Sequence, residues 1–382
     1  MFRTVFQILP FLFAGLLAVV FARTARLTPR ARFVWTAVFL VCAAKFVGFG
    51  LFGGDVFNPE LPEKLVWVWN WAYSGMCLML ALALPWALAC RCARAAPRAD
   101  AWRAGGRVVL PVLAWALAAR GLYNGIKVPD LVEVPVVCTR LPAALEGYRI
   151  VHLTDIHVSA AATRARTEAL VARANAADAD LVVCTGDIVD GLPCNQARNV
   201  EPLCDLRAKD GVLFCTGNHE YYSDWRGWRA QYDRWGLRFL HNEWVSPRPG
   251  FVVAGVDDPA SIFNPSGESL GPFPSLNQAL AGAPEGAFRL LLQHRPHVNF
   301  EVFGEVPEAR FDLQLSGHTH GGVAPGLRAL VKAFNSGCVR GLYTRADGSR
   351  LYVSPGAGQW AGFPVRFFND PEITVFTLHR KP

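Results

Sequence analysis

The sequence predicts an α/β domain preceded by an all-α region that crosses a membrane about four times. Three observations carry this. Long, nearly charge-free apolar runs are confined to the first third of the 382 residues. Beyond residue 147, short apolar runs alternate with helix-like stretches, the pattern of α/β layering. The nine histidines all lie after residue 151, and five of them gather where those short runs end.

Val5–Ala22, Phe33–Gly54 and Leu65–Cys90 each supply the roughly 17–25 residues a helix needs to span a bilayer. A fourth run, Val108–Ile126, is interrupted by Arg120 and Asn124, and Arg120 can snorkel from near a helix end. The first run lacks a small-residue cleavage site and further spans follow, so it does not read as a removable signal peptide. Residues 1–130 are therefore expected to be transmembrane, 131–147 a proline-marked linker, and 148–382 a folded domain.

The net charge of +7 is unevenly placed. Residues 1–147 carry 15 Lys and Arg against 7 Asp and Glu, whereas residues 148–382 carry 23 against 24. The surplus thus belongs to the membrane region, which argues against nucleic acid as a partner. It sits in two loops, Arg23, Arg26, Arg30 and Arg32, then Arg91, Arg94, Arg98, Arg103 and Arg107. Four spans put both loops on one side and the acidic Asp55–Glu63 loop on the other. The positive-inside rule makes the arginine loops cytoplasmic. A multi-pass protein of the inner (cell) membrane with an extracytoplasmic domain is the expectation. No C-x-x-C occurs, which disfavours a redox motif or zinc ribbon. Cys184 and Cys215 read as small buried hydrophobes, while Cys194 and Cys204 flank a polar loop and would pair in an oxidising compartment.

Expected strands are Arg149–Thr154, Leu181–Cys184, Val212–Cys215, Phe251–Val256, Leu290–Gln293, Phe311–Leu315, Leu351–Ser354 and Ile373–Leu378, with helices at Thr167–Ala177 and Trp225–Trp235. Polar groups follow the strand ends: Asp155-x-His157, Gly186-Asp187, Gly217-Asn218-His219-Glu220, His294, and Gly317-His318-x-His320. On a pleated backbone, period-2 alternation lets each x-spaced pair share a face. Carboxylate, imidazole and amide oxygen together suit Mn, Fe, Zn or Mg. Taken singly, Asp187 is a turn residue, Asn218 an Asx-turn and His294 a satisfied core histidine; their joint placement favours a metal site.

In that order the five blocks resemble the calcineurin-like metallophosphoesterases, over roughly residues 148–382. His152-Leu153-Thr154-Asp155, Gly186-Asp187-Ile188-Val189-Asp190-Gly191 and Asn369-Asp370-Pro371-Glu372-Ile373-Thr374 are similar to a bacterial membrane-associated branch that includes enzymes cleaving UDP-2,3-diacylglucosamine. The resemblance implies a four-layer α/β/β/α sandwich and a cofactor of two divalent ions. Asp155, His157 and His320 would hold one ion, Asn218, His294 and His318 the other, and Asp187 would bridge them. Two cations about 3.5–4 Å apart need such a shared carboxylate. His219, neighbour of a ligand, would point elsewhere on an extended backbone and suits a general acid or a stabiliser of transition-state charge. His152, His241, His297 and His379 read as structural or surface residues, Asp190 and Asp258 as supporting or turn residues, and Arg295 and Arg340 as solvated, with contact to a phosphate as the alternative.

The functional expectation is a membrane-anchored metal-dependent phosphoesterase acting on a phosphoester or pyrophosphate. Its membrane tie favours a lipid-linked or envelope substrate and membrane lipid as a partner, with UDP-2,3-diacylglucosamine cleavage as one case. Two alternatives stand beside it: a membrane sensor binding metal or phosphate without turnover, and a phosphodiesterase for soluble cyclic nucleotides. Cleavage of the UDP-lipid belongs on the cytoplasmic side, opposite to the arginine count. Without a span at Val108–Ile126 the domain would turn inward.

Overall fold

Five helices account for the apolar runs of the first third: α1 Phe2–Thr24, α2 Pro29–Ala43, α3 Lys45–Leu51, α4 Glu63–Cys92 and α5 Ala99–Ile126. The computed structural model describes residues 2–53, 56–93, 99–263, 267–303, 310–324, 326–367 and 369–381. Gly54, Asp55, Arg94 and Arg98 lie outside them. Helix α2 begins where its chemistry dictates, with Thr28 accepting a hydrogen bond from the Ala31 amide and Pro29 in the first turn. The expected second span is not one helix, because α2 and α3 meet at Ala44 with a 51° bend. Helices α1, α4 and α5 are long and apolar enough to cross a membrane, and the bent pair makes up to four spans. Leu12, Phe33, Leu88 and Val112 are 62–77% exposed. Water would penalise so many bare apolar faces, whereas lipid tails cover them. Gly75 lets the Trp115 ring of α5 lie against α4, where a Cβ would come within 2.4 Å of it.

The chain divides into two compact units, residues 1–125 with 362–365, and residues 126–361 with 366–382. The second unit holds two six-stranded mixed sheets. Its strands are β1 Asp130–Cys138, β2 Arg149–Leu153, β3 Leu181–Thr185, β4 Val212–Cys215, β5 Arg238–Phe239, β6 Glu243–Arg248, β7 Phe251–Gly255, β8 Phe288–Leu292, β9 Leu313–Ser316, β10 Gly341–Thr344, β11 Arg350–Val353 and β12 Glu372–Arg380. One sheet has the order β1-β12-β2-β3-β4-β5 and the other β10-β11-β9-β8-β7-β6. Helices α6 Arg164–Asn175, α7 Pro193–Val200, α8 Asn218–Tyr222, α9 Trp225–Trp235, α10 Leu276–Ala279 and α11 Arg328–Phe334 complete the unit.

Alternation along β3 shows how the layers form. Leu181 and Val183 point into the core between the sheets, where they meet Phe251, Phe288, Leu290 and Leu315. Val182 and Cys184 face the opposite side, among Leu170 and Ala174 of α6 and Trp228 and Tyr232 of α9. The second sheet covers its outer face with α10, through Val252, Ala254, Leu276 and Ala279. The result is the expected α/β/β/α order, with a thin last layer.

The linker expectation needs correction. Strand β1 occupies the first half of that stretch, to Cys138, and pairs in parallel with β12 from Asp130↔Glu372 to Cys138↔Arg380. Its proline content suggested an unpaired chain. Pro135 is tolerated because β1 is an edge strand, where one missing amide donor is not missed.

Candidate metal centre

Strands β2, β3 and β4 run parallel as neighbours, as do β8 and β9 in the other sheet. Their carboxyl ends carry Asp155, His157, Asp187, Asn218, His294, His318 and His320. The pairs do not converge through a strand pleat, as period-2 alternation predicts. Asp155, His157, Asp187, His318 and His320 have φ of 49°, 47°, 52°, 71° and 45°, all in the left-handed region that non-glycine residues rarely adopt. Each strand end curls sharply, and the curls are stitched together. The Asp155 amide donates to Gly186 O at 3.0 Å and the His157 amide to Asp187 O at 3.1 Å. Glycine permits the crowding: a Cβ on Gly317 would lie 2.1 Å from Asp155 Oδ2, and one on Gly217 2.3 Å from Asp187 Oδ1.

Two donor clusters result. Asp155, His157 and His320 present ligand atoms within 4.8 Å of one another, and so do Asp187, His294 and His318. Asp187 lies between them, with Oδ2 at 3.2 Å from His294 Nε2, 3.8 Å from His157 Nε2 and 4.0 Å from His219 Nε2. Asn218 is buried, and its Oδ1 has no hydrogen-bond partner. An orphaned buried acceptor costs about 1–3 kcal/mol unless something fills its lone pairs, and a cation does so. His157 Nδ1 faces Asp190 at 3.1 Å and His294 Nδ1 donates to Thr185 O at 2.7 Å, so both rings keep Nε2 for coordination. His320 differs. Its Nδ1 lies 3.1 Å from Arg366 Nη2, an obligate donor, which favours a proton on Nε2; coordination through Nε2 would move that proton to Nδ1 and require the Arg366 contact to give way.

His219 is not on an extended backbone. It is in the first turn of α8, and its ring joins His157 and Asp187 in a third cluster of ligand-like spacing. Its Nδ1 lies 2.5 Å from Asp190 Oδ1, which directs Nε2 toward Asp187. Burial alone would lower the His219 pKa, yet the Asp187 and Asp190 carboxylates hold it up at about 9. His294 behaves alike: burial opposes its charge, and Asp187 raises it to about 10. His219 and His318 are partly exposed while Asp155, His157 and Asp187 are buried, so the site opens on the side of the former pair. Tyr222 and Trp360 flank His219 there, with ring centroids 5.3 and 5.8 Å away.

The family of calcineurin-like phosphoesterases matches residues 148–322, a span that takes in every one of these donors. An uncharacterized metallophosphoesterase of Aquifex aeolicus is 31% identical over 63% of this chain and 88% of its own length. The chain belongs to the calcineurin-like phosphoesterases. A transmembrane protein with metallophosphoesterase domain from Bos taurus is 33% identical, covering 74% of this chain and 67% of that one. Its namesake from Danio rerio is 32% identical over 71% of this chain, which spans only 62% of that relative.

Within this phosphoesterase two carboxylates brace the site, Asp190 as a supporting residue and Glu220, to which sequence reasoning gave no role. Asp190 orients both His157 and His219; it stands three residues after Asp187, a spacing that brings it back to the same loop. Glu220 is fully buried and accepts from the Gly217, Asp187 and Ile188 amides at 2.6, 2.9 and 2.7 Å. Its place three residues after Gly217 is the capping-box spacing, the signal that would have found it. Arg295 is not solvated but forms a two-pronged ion pair with Asp258 at 2.8 and 3.0 Å, and Arg340 pairs with Asn369 and Glu372. His152 is buried against Thr185, His241 faces Asp257 and His379 faces Glu146, as structural residues do. Cys194 and Cys204 are free and exposed.

Proposed function

We propose that this protein is a membrane-anchored phosphoester hydrolase whose site takes two divalent ions. Asp155, His157 and His320 would hold one, Asn218, His294 and His318 the other, with Asp187 shared. The observation that carries the reading is Asp187 itself, a buried carboxylate within 4 Å of imidazole nitrogens from both clusters. Such an ion pair supplies a nucleophile at neutral pH and offsets charge on the phosphoryl oxygens.

The chain's own residues do the rest. His219, oriented through Nδ1 by Asp190, stands on the open side with Nε2 placed to give a proton to a leaving oxygen. Arg295, held rigid by Asp258 and facing the Tyr222 hydroxyl, is a fixed cation at that rim for a phosphate oxygen. Glu220 and Asp190 lock the loops, so little reorganisation accompanies substrate binding. The apolar helices favour a substrate carried by lipid, and the arginine-rich loops favour a domain outside the cytoplasm.

Replacing Asp187 by Asn tests the core of this reading. Hydrolysis of an artificial aryl phosphodiester should vanish, and bound metal should fall toward one per chain or none. Two bound metals with ordinary turnover would defeat the assignment, while two metals and no turnover in the parent protein would favour a sensor. A reporter fused after Pro382 decides the side of the membrane.

A further inference from the structure

Helix α11 follows His320 by a short turn and buries none of its side chains. Leu327, Leu330, Val331 and Phe334 recur at i, i+3, i+4 and i+7, a single apolar stripe. That stripe faces out: Leu327 is 43% exposed, Leu330 56% and Phe334 81%, more than Phe33 at 77% on α2. Arg328 and Lys332 sit one turn apart beside the stripe, and neither forms an ion pair or side-chain hydrogen bond among the described residues. No carboxylate is present on the helix. An exposed apolar stripe flanked by cations that have no ion-pair partner among the described residues is costly in water and marks a docking surface. A second copy of this chain would have to offer an acidic apolar face. A bilayer with anionic headgroups offers both partners at once, apolar tails for the stripe and negative charge for Arg328 and Lys332.

We propose that α11 is an interfacial helix that lays Leu327, Leu330 and Phe334 into the headgroup boundary of an anionic membrane. This rests on the membrane reading of α1–α5, which would keep lipid at high local concentration around the chain. The helix is coupled to the metal centre at close range. It packs on the turn His320–Gly322, and Arg328 lies so near Gly322 that a Cβ there would come within 3.0 Å of its Cγ. A lipid-borne phosphoester held at α11 is therefore presented within one turn of chain from a proposed ligand, whereas a soluble ester has no use for the helix.

The test uses the full chain in nanodiscs of phosphatidylcholine and phosphatidylglycerol carrying a diazirine-tailed phospholipid. After photolysis, peptides spanning 327–334 should be labelled along with those from α1 and α4, and labelling should weaken when phosphatidylglycerol is left out. The double variant Leu330→Glu, Phe334→Glu should lose the label on α11. It should also cleave a lipid-borne phosphoester about tenfold more slowly, at an unchanged rate on a soluble aryl phosphodiester. Label on α1 and α4 but not on 327–334, or cross-linking of α11 to a second chain, overturns the inference and leaves the anchor intact. Absence of label from every helix removes the membrane reading and this inference together. Equal loss on both substrates would show that the variant damages the site, and α11 labelling in the single variant Phe334→Leu then decides the matter.

Discussion

Replacing Glu220 by Gln removes one acceptor from a buried three-amide clamp. The Gln oxygen is best kept at the Oε2 position, where it serves Gly217 and Asp187. Its NH₂ then faces the Ile188 amide, donor against donor. One hydrogen bond to a charged group, worth about 1.5–3 kcal/mol, is lost, and an unsatisfied donor costs about 1–3 kcal/mol more. Part is returned, because burial and the nearby Asp187 both disfavour the Glu220 charge, as its raised pKa reports. A net loss of about 2 kcal/mol follows, which for a domain of this size is about 4–8 °C in Tm. The loss is local to the loop that positions Asp187, so metal content should fall with it. Scanning calorimetry and metal analysis on the detergent-solubilised full chain measure both. A Gln variant with the parent Tm and full metal content would refute the role given to Glu220.

The other outcomes rest on the same geometry. His219→Gln should retain both metals and lose roughly 10²–10⁴-fold in turnover; metal loss matching that of His318→Ala would make His219 a ligand. In the metal-free site His294 carries a proton up to about pH 10 because Asp187 stands beside it. Metal and proton therefore compete for its Nε2, so affinity should rise with pH through neutrality and weaken in acid. Calorimetry in buffers of different ionisation enthalpy should register proton release on binding, and none at pH 7 would contradict the pairing. A chain shortened to begin at Ile126 should fold, bind metal and cleave small soluble esters, because it keeps β1 and the Ile126 and Lys127 carbonyls that Arg166 bonds. One beginning at Val134 cuts β1 in half and should be much less stable by urea titration.

Each candidate donor was legible as a residue type because metal chemistry demands few kinds of atom and strand ends announce themselves with glycine. The apolar runs were legible for a similar reason, since bilayer thickness sets a length that composition alone reveals. Pairing was not. Strand β1 is recognisable only beside β12, more than two hundred residues away, because β register depends on a partner and not on local preference. Nor did spacing reveal how the ligands converge. Sequence suggests alternation on a pleated strand, but five donors reach one point through left-handed turns. Such turns survive only where surrounding hydrogen bonds over-determine them, and Glu220 after β4 together with Asp190 and the Gly186 carbonyl after β3 supply those bonds from two different segments. The sequence alone determined which atoms were available for the chemistry. Tertiary structure decided which of them share Asp187, because convergence is a property of loops held against each other and no single segment contains it.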